Sequence, residues 1–178
     1  AIAADGNYYV GDTKWHPDGS RLSEKGTAVD YTGVKFTIYL EPQNATNGAL
    51  RVIPRSHKDP YYSELYSQLM RVEGDRSERL DPLDVFGATG ADLPAFVFDS
   101  QPGDVLAFRT ATWHAAFGGG DHRRMATYVY YDDPKTPESK TAIRKVMTGN
   151  HRLYSSNGHQ MYTDYYRSNS DPRHQRWV

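Results

Sequence analysis

A chain of 178 residues is long enough for one domain with a buried core, and a formal net charge of −1 does not favour binding to nucleic acid or to anionic membranes. Cysteine is absent, so disulfides and thiolate metal sites are excluded, and any transition metal must be held by His, Asp or Glu. No apolar run approaches the roughly 20 residues that a membrane helix needs. The first ten residues also lack the charged-then-apolar layout of a signal peptide.

Short apolar runs alternate with turn residues along most of the chain. Strands are predicted in the segments NYYVGDTKW, VKFTIYLE, ALRVIP, AFVFDS, DVLAFRTAT and RMATYVYYDD. One helix is predicted to begin with Asp59 as its N-cap and Pro60 as its first residue, and another begins in the same way at Thr136 and Pro137. Residues 73–94 predict a long polar excursion, and HQMYTDYYRSN predicts a final helix. Many short strands with few helices predict a sandwich or barrel of the jelly-roll type.

A histidine and an aspartate stand two residues apart after the first predicted strand, in the stretch TKWHPDGS. Residues i and i+2 of a strand point to the same face, so His16 and Asp18 can offer a ring nitrogen and a carboxylate oxygen to one ion. Pro17 has no N–H for a ladder, which places the motif at a strand end or edge. The alternative is an ordinary polar turn. The stretch His57-Lys58-Asp59 has the same spacing, and there the carboxylate is already suited to cap a helix.

A third ligand must come from elsewhere, and His114 is the candidate. It follows a predicted strand and precedes a Gly-rich turn in FRTATWHAAFGGGDHRR. Two histidines and one carboxylate, with other positions open for a co-substrate and O₂, are the ligands of non-haem Fe(II) oxygenases. The alternative for His114 is a buried histidine that is satisfied by a neighbouring group.

An arginine ten residues after His114 opens the next predicted strand. If its side chain points inward, Arg124 can bind a dicarboxylate through two parallel hydrogen bonds, which Lys would do poorly. A slip of one residue would give this position to Arg123. We predict Arg124 for this role.

The order of these motifs resembles the phytanoyl-CoA dioxygenase family of Fe(II)/2-oxoglutarate oxygenases. WHPD is similar to the first metal motif of that family, and NGALRVIPRSHK is similar to its segment NG-x-L-x-x-x-P-G-S-H-K. PGDVLAFRTATWHAAFGGGDHRRMA resembles the segment with the distal histidine and the 2-oxoglutarate arginine. The resemblance implies a mainly β fold, a double-stranded β-helix (a jelly-roll or cupin-like barrel) with a few flanking helices. It also implies one domain over residues 1–178, with a core at about 7–133 and a helical extension at 134–178.

The resemblance further implies His16, Asp18 and His114 as iron ligands, Arg124 on the far carboxylate of 2-oxoglutarate, and Thr37 on a strand that contacts this co-substrate. The implied reaction is hydroxylation of a small molecule with O₂, releasing succinate and CO₂. Asp18 stands where related halogenases have Ala or Gly, so halogenation is not expected. Only 15 residues precede His16, fewer than is usual in the family, so we expect the upstream part of the family domain to be missing.

Two segments depart from the family pattern. Arg55 replaces the glycine of the PGSH loop, and HAAFGGG replaces the common HGSGPN after the distal histidine. Arg55 is either a solvated loop charge or a contact for an anionic substrate, which Arg51 and Arg109 also favour. The sequence specifies neither the substrate nor the oligomeric state.

Other functions fit the same three ligands. A cupin-like isomerase, lyase or binding module would hold a metal without needing an arginine for a dicarboxylate, and a hydrolytic zinc site also uses two histidines and a carboxylate. The motif order favours the oxygenase. The predicted compartment is the cytoplasm, where Fe(II) and 2-oxoglutarate are available.

Overall fold

The structure is a computed structural model, and it describes residues 11–18, 33–73, 76–120, 123–144 and 168–172. The chain divides into two compact units, one of Tyr9–Asp132 and one of Ala1–Tyr8 with Asp133–Val178. The strands of the first unit are β1 Thr13–His16, β2 Gly33–Tyr39, β3 Leu50–Val52, β4 Met70–Glu73, β5 Arg76–Arg79, β6 Phe96–Val97, β7 Val105–Arg109, β8 His114–Ala116 and β9 Met125–Tyr131. Its helices are α1 Tyr61–Leu69 and α2 Pro82–Phe86, with a 3₁₀ turn at Gly90–Asp92.

Two antiparallel sheets form the body of this unit. One has four strands in the order β1-β8-β3-β6, and the other has three in the order β7-β2-β9. Strands β4 and β5 form a separate two-stranded ribbon. Each of the six predicted strand segments therefore contains a strand, although most strands are shorter than predicted.

The predicted excursion at 73–94 is more regular than its composition indicated. It contains β5, the short helix α2 and the 3₁₀ turn. The side chain of Asp81 accepts a hydrogen bond from the Leu83 N–H at the start of α2, and Gly87 ends the helix at a φ of 69°. These are the usual devices that start and stop a helix, and here they delimit one of five residues.

Alternation along the strands gives the four-stranded sheet two different buried faces. Trp15, Trp113 and Ala115 pack with Tyr62 and Leu69 of α1 into one apolar cluster. Their neighbours His16 and His114 point to the opposite face because successive strand residues alternate. Because Trp15 and Trp113 are buried under α1, His16 and His114 point away from that helix.

The opposite face of this sheet packs against the second sheet. Leu50 and Val52 of β3 form a second buried cluster with Tyr39 of β2 and Phe108 of β7. The core thus lies between two antiparallel sheets, which confirms the predicted mainly β fold of the double-stranded β-helix type.

Helix α1 begins one residue later than the sequence predicted. Pro60 takes the N-cap position, and the Asp59 carboxylate accepts a hydrogen bond from the Ser63 hydroxyl (2.6 Å). Proline suits this position because its missing N–H is not needed there. Within the described residues, no helix is long and apolar enough to cross a membrane.

In the second unit, residues 137–144 are helical. The Ser139 N–H donates to the Thr136 hydroxyl (3.2 Å), so the predicted N-cap at Thr136 is confirmed. The predicted helix in HQMYTDYYRSN lies almost wholly outside the described residues.

A buried serine ties the loop after β3 to the strand that carries His114. Ser56 is fully buried, and its hydroxyl accepts a hydrogen bond from the Trp113 N–H (2.8 Å). Trp113 directly precedes β8 and is itself fully buried. The loop therefore holds the backbone at the residue next to His114.

We expect Ser56→Ala to lower the free energy of unfolding by roughly 1–3 kcal/mol, because it leaves the buried Trp113 N–H without its acceptor. Urea unfolding followed by tryptophan fluorescence measures this change. Ser67→Ala is the matched control, since Ser67 is an exposed serine on α1. An equal effect of both substitutions would contradict the role assigned to Ser56.

Candidate metal centre

The structure brings the three predicted ligands to one place. His16 at the end of β1 lies directly opposite His114 at the start of β8, and their ring centroids are 4.4 Å apart. The Asp18 N–H donates to the Thr110 carbonyl (2.9 Å), which fixes the chain just after the proline. One ring nitrogen from each histidine and one Asp18 oxygen all lie within 4.8 Å of one another.

The tautomer of each histidine is set by a backbone carbonyl two residues earlier. His16 Nδ1 lies 2.7 Å from the Lys14 oxygen, and His114 Nδ1 lies 2.9 Å from the Thr112 oxygen. A carbonyl oxygen can only accept, so Nδ1 must carry the proton in both rings. In the neutral ring the proton-free nitrogen is then Nε2, the atom that faces Asp18. This arrangement of a metal-binding histidine, with its other nitrogen donating to the protein, is the usual one in metal sites.

When both rings are neutral, these nitrogens and the carboxylate form a cluster of acceptors, whereas a protonated ring would donate to Asp18. His16 Nε2 is 3.6 Å from Asp18 Oδ1, and His114 Nε2 is 3.5 Å from Oδ2. Burial lowers the pKa of His16 to about 4, so its Nε2 has no proton to donate at neutral pH. Lone pairs that face one another at this distance repel unless a cation lies between them. Imidazole nitrogen and carboxylate oxygen are ligands that suit Fe(II), so the donor set fits this ion.

A lysine and a tyrosine surround the carboxylate of this cluster. Lys35 Nζ lies 2.6 Å from Asp18 Oδ2. Burial alone would raise the pKa of Asp18, but His114, His16 and the Lys35 ammonium together hold that pKa well below its ordinary value. Burial and the Asp18 charge raise the pKa of Tyr131, whose phenol therefore stays neutral. Asp18 is thus ionised at neutral pH and can serve as a metal ligand.

Lys35 and Tyr131 were not among the site residues predicted from the sequence. A usable pattern was present for Lys35, since it is the one charged residue between Val34 and Leu40 of an apolar strand. Tyr131 ends the long apolar run of β9, and its ring lies over Gly33, where a Cβ would come within 2.6 Å. A glycine that makes room for a ring on the neighbouring strand is not visible before the register is known.

The two arginines at the start of β9 point in opposite directions, and the direction predicted for Arg124 is not the observed one. Arg124 is 67% exposed and its guanidinium pairs with Glu41 at the surface. Arg123 is 7% exposed and points to the inner face, in register with Met125 opposite Tyr39. The observed register is the one in which Arg123, and not Arg124, points inward. The Leu40 N–H donates to the Arg124 carbonyl and so continues the β2–β9 ladder in this register.

Arg123 lies in a slot that two glycines leave open. A Cβ on Gly48 would come within 2.7 Å of the arginine Cδ, and one on Gly119 would come within 3.0 Å of Nη1. Gly48 also has a φ of 101°, which other residues rarely adopt. The Arg123 guanidinium acts on Tyr39, where it opposes the rise in pKa that burial causes.

Thr37, the other residue predicted to contact the co-substrate, is almost fully buried on the inner face of β2. It lies opposite Thr127 of β9. Both hydroxyl oxygens are buried, and neither has a hydrogen-bond partner among the residues that the structure describes. Buried hydroxyls without partners are uncommon in native proteins, so this pair is a candidate contact for a polar ligand.

Arg55, the predicted substrate contact, is exposed in the turn after β3 and has a φ of 66°. A left-handed conformation is unfavourable for a residue with a Cβ, which explains why the resembling family segment has glycine there. Its contact with a substrate stays a prediction.

The sequence profile of the phytanoyl-CoA dioxygenase (PhyH) family matches residues 7–126, about two thirds of the chain. The chain belongs to the phytanoyl-CoA dioxygenase family. The cofactors of this family are Fe(II), 2-oxoglutarate and O₂, and the cluster of His16, Asp18 and His114 fits the iron site.

Similar solved structures include EvdMO1, EctD from S. alaskensis with 2-oxoglutarate and 5-hydroxyectoine, and the non-haem alpha-ketoglutarate-dependent carbocyclase SnoK. Their identities to the chain are 19, 19 and 26%, and their TM-scores are 0.44, 0.40 and 0.39. The similarity covers 70, 68 and 69% of this chain but only 24, 38 and 44% of theirs. No curated protein matches the sequence. The chain thus spans less than half the length of these proteins.

We expect the metal-free protein to lose stability as the pH falls from about 6.5 to about 4. The unfolded chain binds a proton at His16 near pH 6.5, whereas the folded protein does so only near 4, so the unfolded state holds more protons in this window. A pKa difference of this size corresponds to about 3 kcal/mol. Urea unfolding in the presence of a chelator, at pH 7 and pH 4.5, measures the loss.

The variant His16→Gln removes the titrating group and should flatten most of this dependence. A pH dependence that His16→Gln leaves unchanged would show that other groups cause it.

Proposed function

We propose that the chain carries the catalytic core of an Fe(II)- and 2-oxoglutarate-dependent oxygenase that hydroxylates a small molecule. The reaction consumes substrate, O₂ and 2-oxoglutarate and yields hydroxylated substrate, succinate and CO₂. The observation that carries the proposal is the pair of histidines whose Nδ1 protons are held by the carbonyls of Lys14 and Thr112, with both Nε2 atoms facing Asp18. Membership of the phytanoyl-CoA dioxygenase family supports the choice of metal and co-substrate.

When bound, Fe(II) coordinates 2-oxoglutarate and activates O₂. In the proposed site His16, Asp18 and His114 hold this ion through two neutral rings and one carboxylate. One negative charge against a divalent ion leaves a net positive centre, which favours an anionic co-substrate. The protein therefore needs few further charges to attract 2-oxoglutarate.

The proposed co-substrate site runs along the inner face of β2 and β9. Successive inward residues of a strand are about 6.8 Å apart, so Thr37 and Thr127 lie one such step beyond Lys35, and Arg123 lies further along. The two unpartnered hydroxyls can donate to one carboxylate of 2-oxoglutarate. The buried guanidinium of Arg123 can bind a carboxylate of the same molecule through two parallel hydrogen bonds. We assign this role to Arg123 in place of Arg124, because Arg124 is exposed and paired with Glu41.

Hydroxylation is proposed over halogenation because Asp18 supplies a carboxylate where a halogenase would need space for chloride. We also propose that residues 1–178 form one domain with its core at about 7–133 and a helical extension at 134–178, acting on a small molecule in the cytoplasm. Since the chain spans less than half of EvdMO1, EctD and SnoK, the activity and substrate of the whole protein are proposals.

We expect anaerobic addition of 2-oxoglutarate to the Fe(II)-loaded protein to produce a weak visible charge-transfer band. The band should be lost in Asp18→Ala and His114→Ala, which remove ligands. Arg123→Ala should need at least about tenfold more 2-oxoglutarate, since it removes a buried bidentate partner. Arg124→Ala is the matched control and should titrate like the parent protein, because its guanidinium lies at the surface.

Iron binding without the band would refute the use of 2-oxoglutarate and favour the cupin-like alternative. A greater loss in Arg124→Ala than in Arg123→Ala would refute the assignment of the arginine alone.

Arg55 is proposed to contact an anionic substrate, and two substitutions separate this role from its backbone strain. Arg55→Ala and Arg55→Gly should weaken substrate binding equally, because both remove the guanidinium. Only Arg55→Gly should also stabilise the fold, by up to about 1 kcal/mol, since glycine accepts the left-handed conformation. Succinate release against substrate concentration, with thermal unfolding in parallel, measures both effects. Unchanged substrate affinity in both variants would make Arg55 a plain surface charge.

A further inference from the structure

The candidate metal centre includes a cation that the assigned ligand set does not need. Lys35 lies in the middle of β2, directly opposite Phe108 of β7 and Val129 of β9. Its side chain is only 14% exposed. Its ammonium group is 2.6 Å from Asp18 Oδ2 and 6.0 Å from the centroid of the Phe108 ring. Lysine is almost never buried to this degree without a partner, and the partner here is the proposed metal ligand.

The ammonium shares its carboxylate oxygen with the metal position. Asp18 Oδ2 lies 2.6 Å from Lys35 Nζ and 3.5 Å from His114 Nε2. An ion held between Asp18 and the two histidines would therefore be separated from the Lys35 ammonium only by the Asp18 carboxylate. A strand residue between Val34 and Phe36 could be apolar and still pack on Phe108, so the fold alone does not call for the charge.

This position gives Lys35 opposite effects on two kinds of ligand. The ammonium repels a divalent cation that shares its carboxylate, and it attracts any anion that binds beside that cation. Both effects are strong because the group is largely shielded from water. Ammonium and guanidinium carry the same charge, so Arg should preserve the effects while an uncharged residue should abolish them.

We propose that Lys35 is a specificity-determining residue that weakens binding of the bare metal and strengthens binding of an anionic ligand at the metal-loaded site. The site then fills in a coupled way, with the metal held tightly only when a dianion such as 2-oxoglutarate accompanies it. This inference rests on the proposed function, because it needs the metal centre that His16, Asp18 and His114 would form.

Titrations of the full chain with Mn(II), followed by 2-oxoglutarate at saturating Mn(II), test the proposal without turnover. Lys35→Met should bind Mn(II) at least about tenfold more tightly and 2-oxoglutarate at least about tenfold more weakly than the parent. Lys35→Arg should stay near the parent in both titrations. Imidazole, a neutral ligand, should bind the Mn(II)-loaded proteins with equal affinity. Lys58→Met is the control for removal of an exposed lysine.

The outcomes separate this inference from the proposed function. Parent protein that binds no Mn(II) would refute both. Parent protein that binds Mn(II) and 2-oxoglutarate, with no change in Lys35→Met, would refute the inference alone. Weaker binding of both ligands in Lys35→Met would also refute it, because Lys35 would then only hold Asp18 in place. If Lys35→Met does not fold, as judged by circular dichroism, Lys35→Gln takes its place in the same titrations.

Discussion

Two hydrogen bonds, from the Nδ1 atoms of His16 and His114 to the carbonyls of Lys14 and Thr112, decide what the centre of this molecule can do. They fix which nitrogen of each neutral ring is bare, and each acceptor lies only two residues before its histidine. The charge states of the neighbouring side chains depend on the resulting cluster of lone pairs. Asp18 is ionised, His16 is neutral at pH 7, and Lys35 pairs with the carboxylate. Burial and the carboxylate charge raise the pKa of Tyr131.

The strands that bear these histidines are stabilised from the side away from the metal. Trp15 and Trp113, each one residue before a histidine in the chain, are fully buried against α1. Burial of such large side chains is strongly stabilising, so residues outside the ligand cluster help to hold the positions of the rings. Ser56 extends the same support to the loop after β3. Rigid scaffolding of this kind keeps donors preorganised and reduces the cost of binding.

The sequence was sufficient to predict the class of fold and that His16, Asp18 and His114 lie together, because both depend largely on local patterns. A spacing of two residues predicted that His16 and Asp18 lie together, although β1 ends at His16 and Asp18 is held by its own hydrogen bond to Thr110. The predicted strand and turn around His114 indicated it as a partner. The choice between Arg123 and Arg124 was not predictable in this way. It depends on a single step of register after a Gly-rich turn, and one step reverses the direction of every side chain. Lys35 could have been noticed as the one charge within an apolar strand, but its pairing with Asp18 could not be predicted before the three-dimensional arrangement was known.

The slot beneath Arg123 links two distant segments of the chain. Gly48 belongs to the NG-x-L motif, 75 positions before the arginine, yet any side chain there would occupy the space of the arginine's own Cδ. Three features therefore favour glycine here: its φ of 101°, the backbone of Gly119 and the side chain of Arg123. In related sequences, the positions of Gly48 and Arg123 should therefore change together. A bulky residue at the position of Gly48 should occur in chains that lack the buried arginine or that place an arginine in this pocket from another strand.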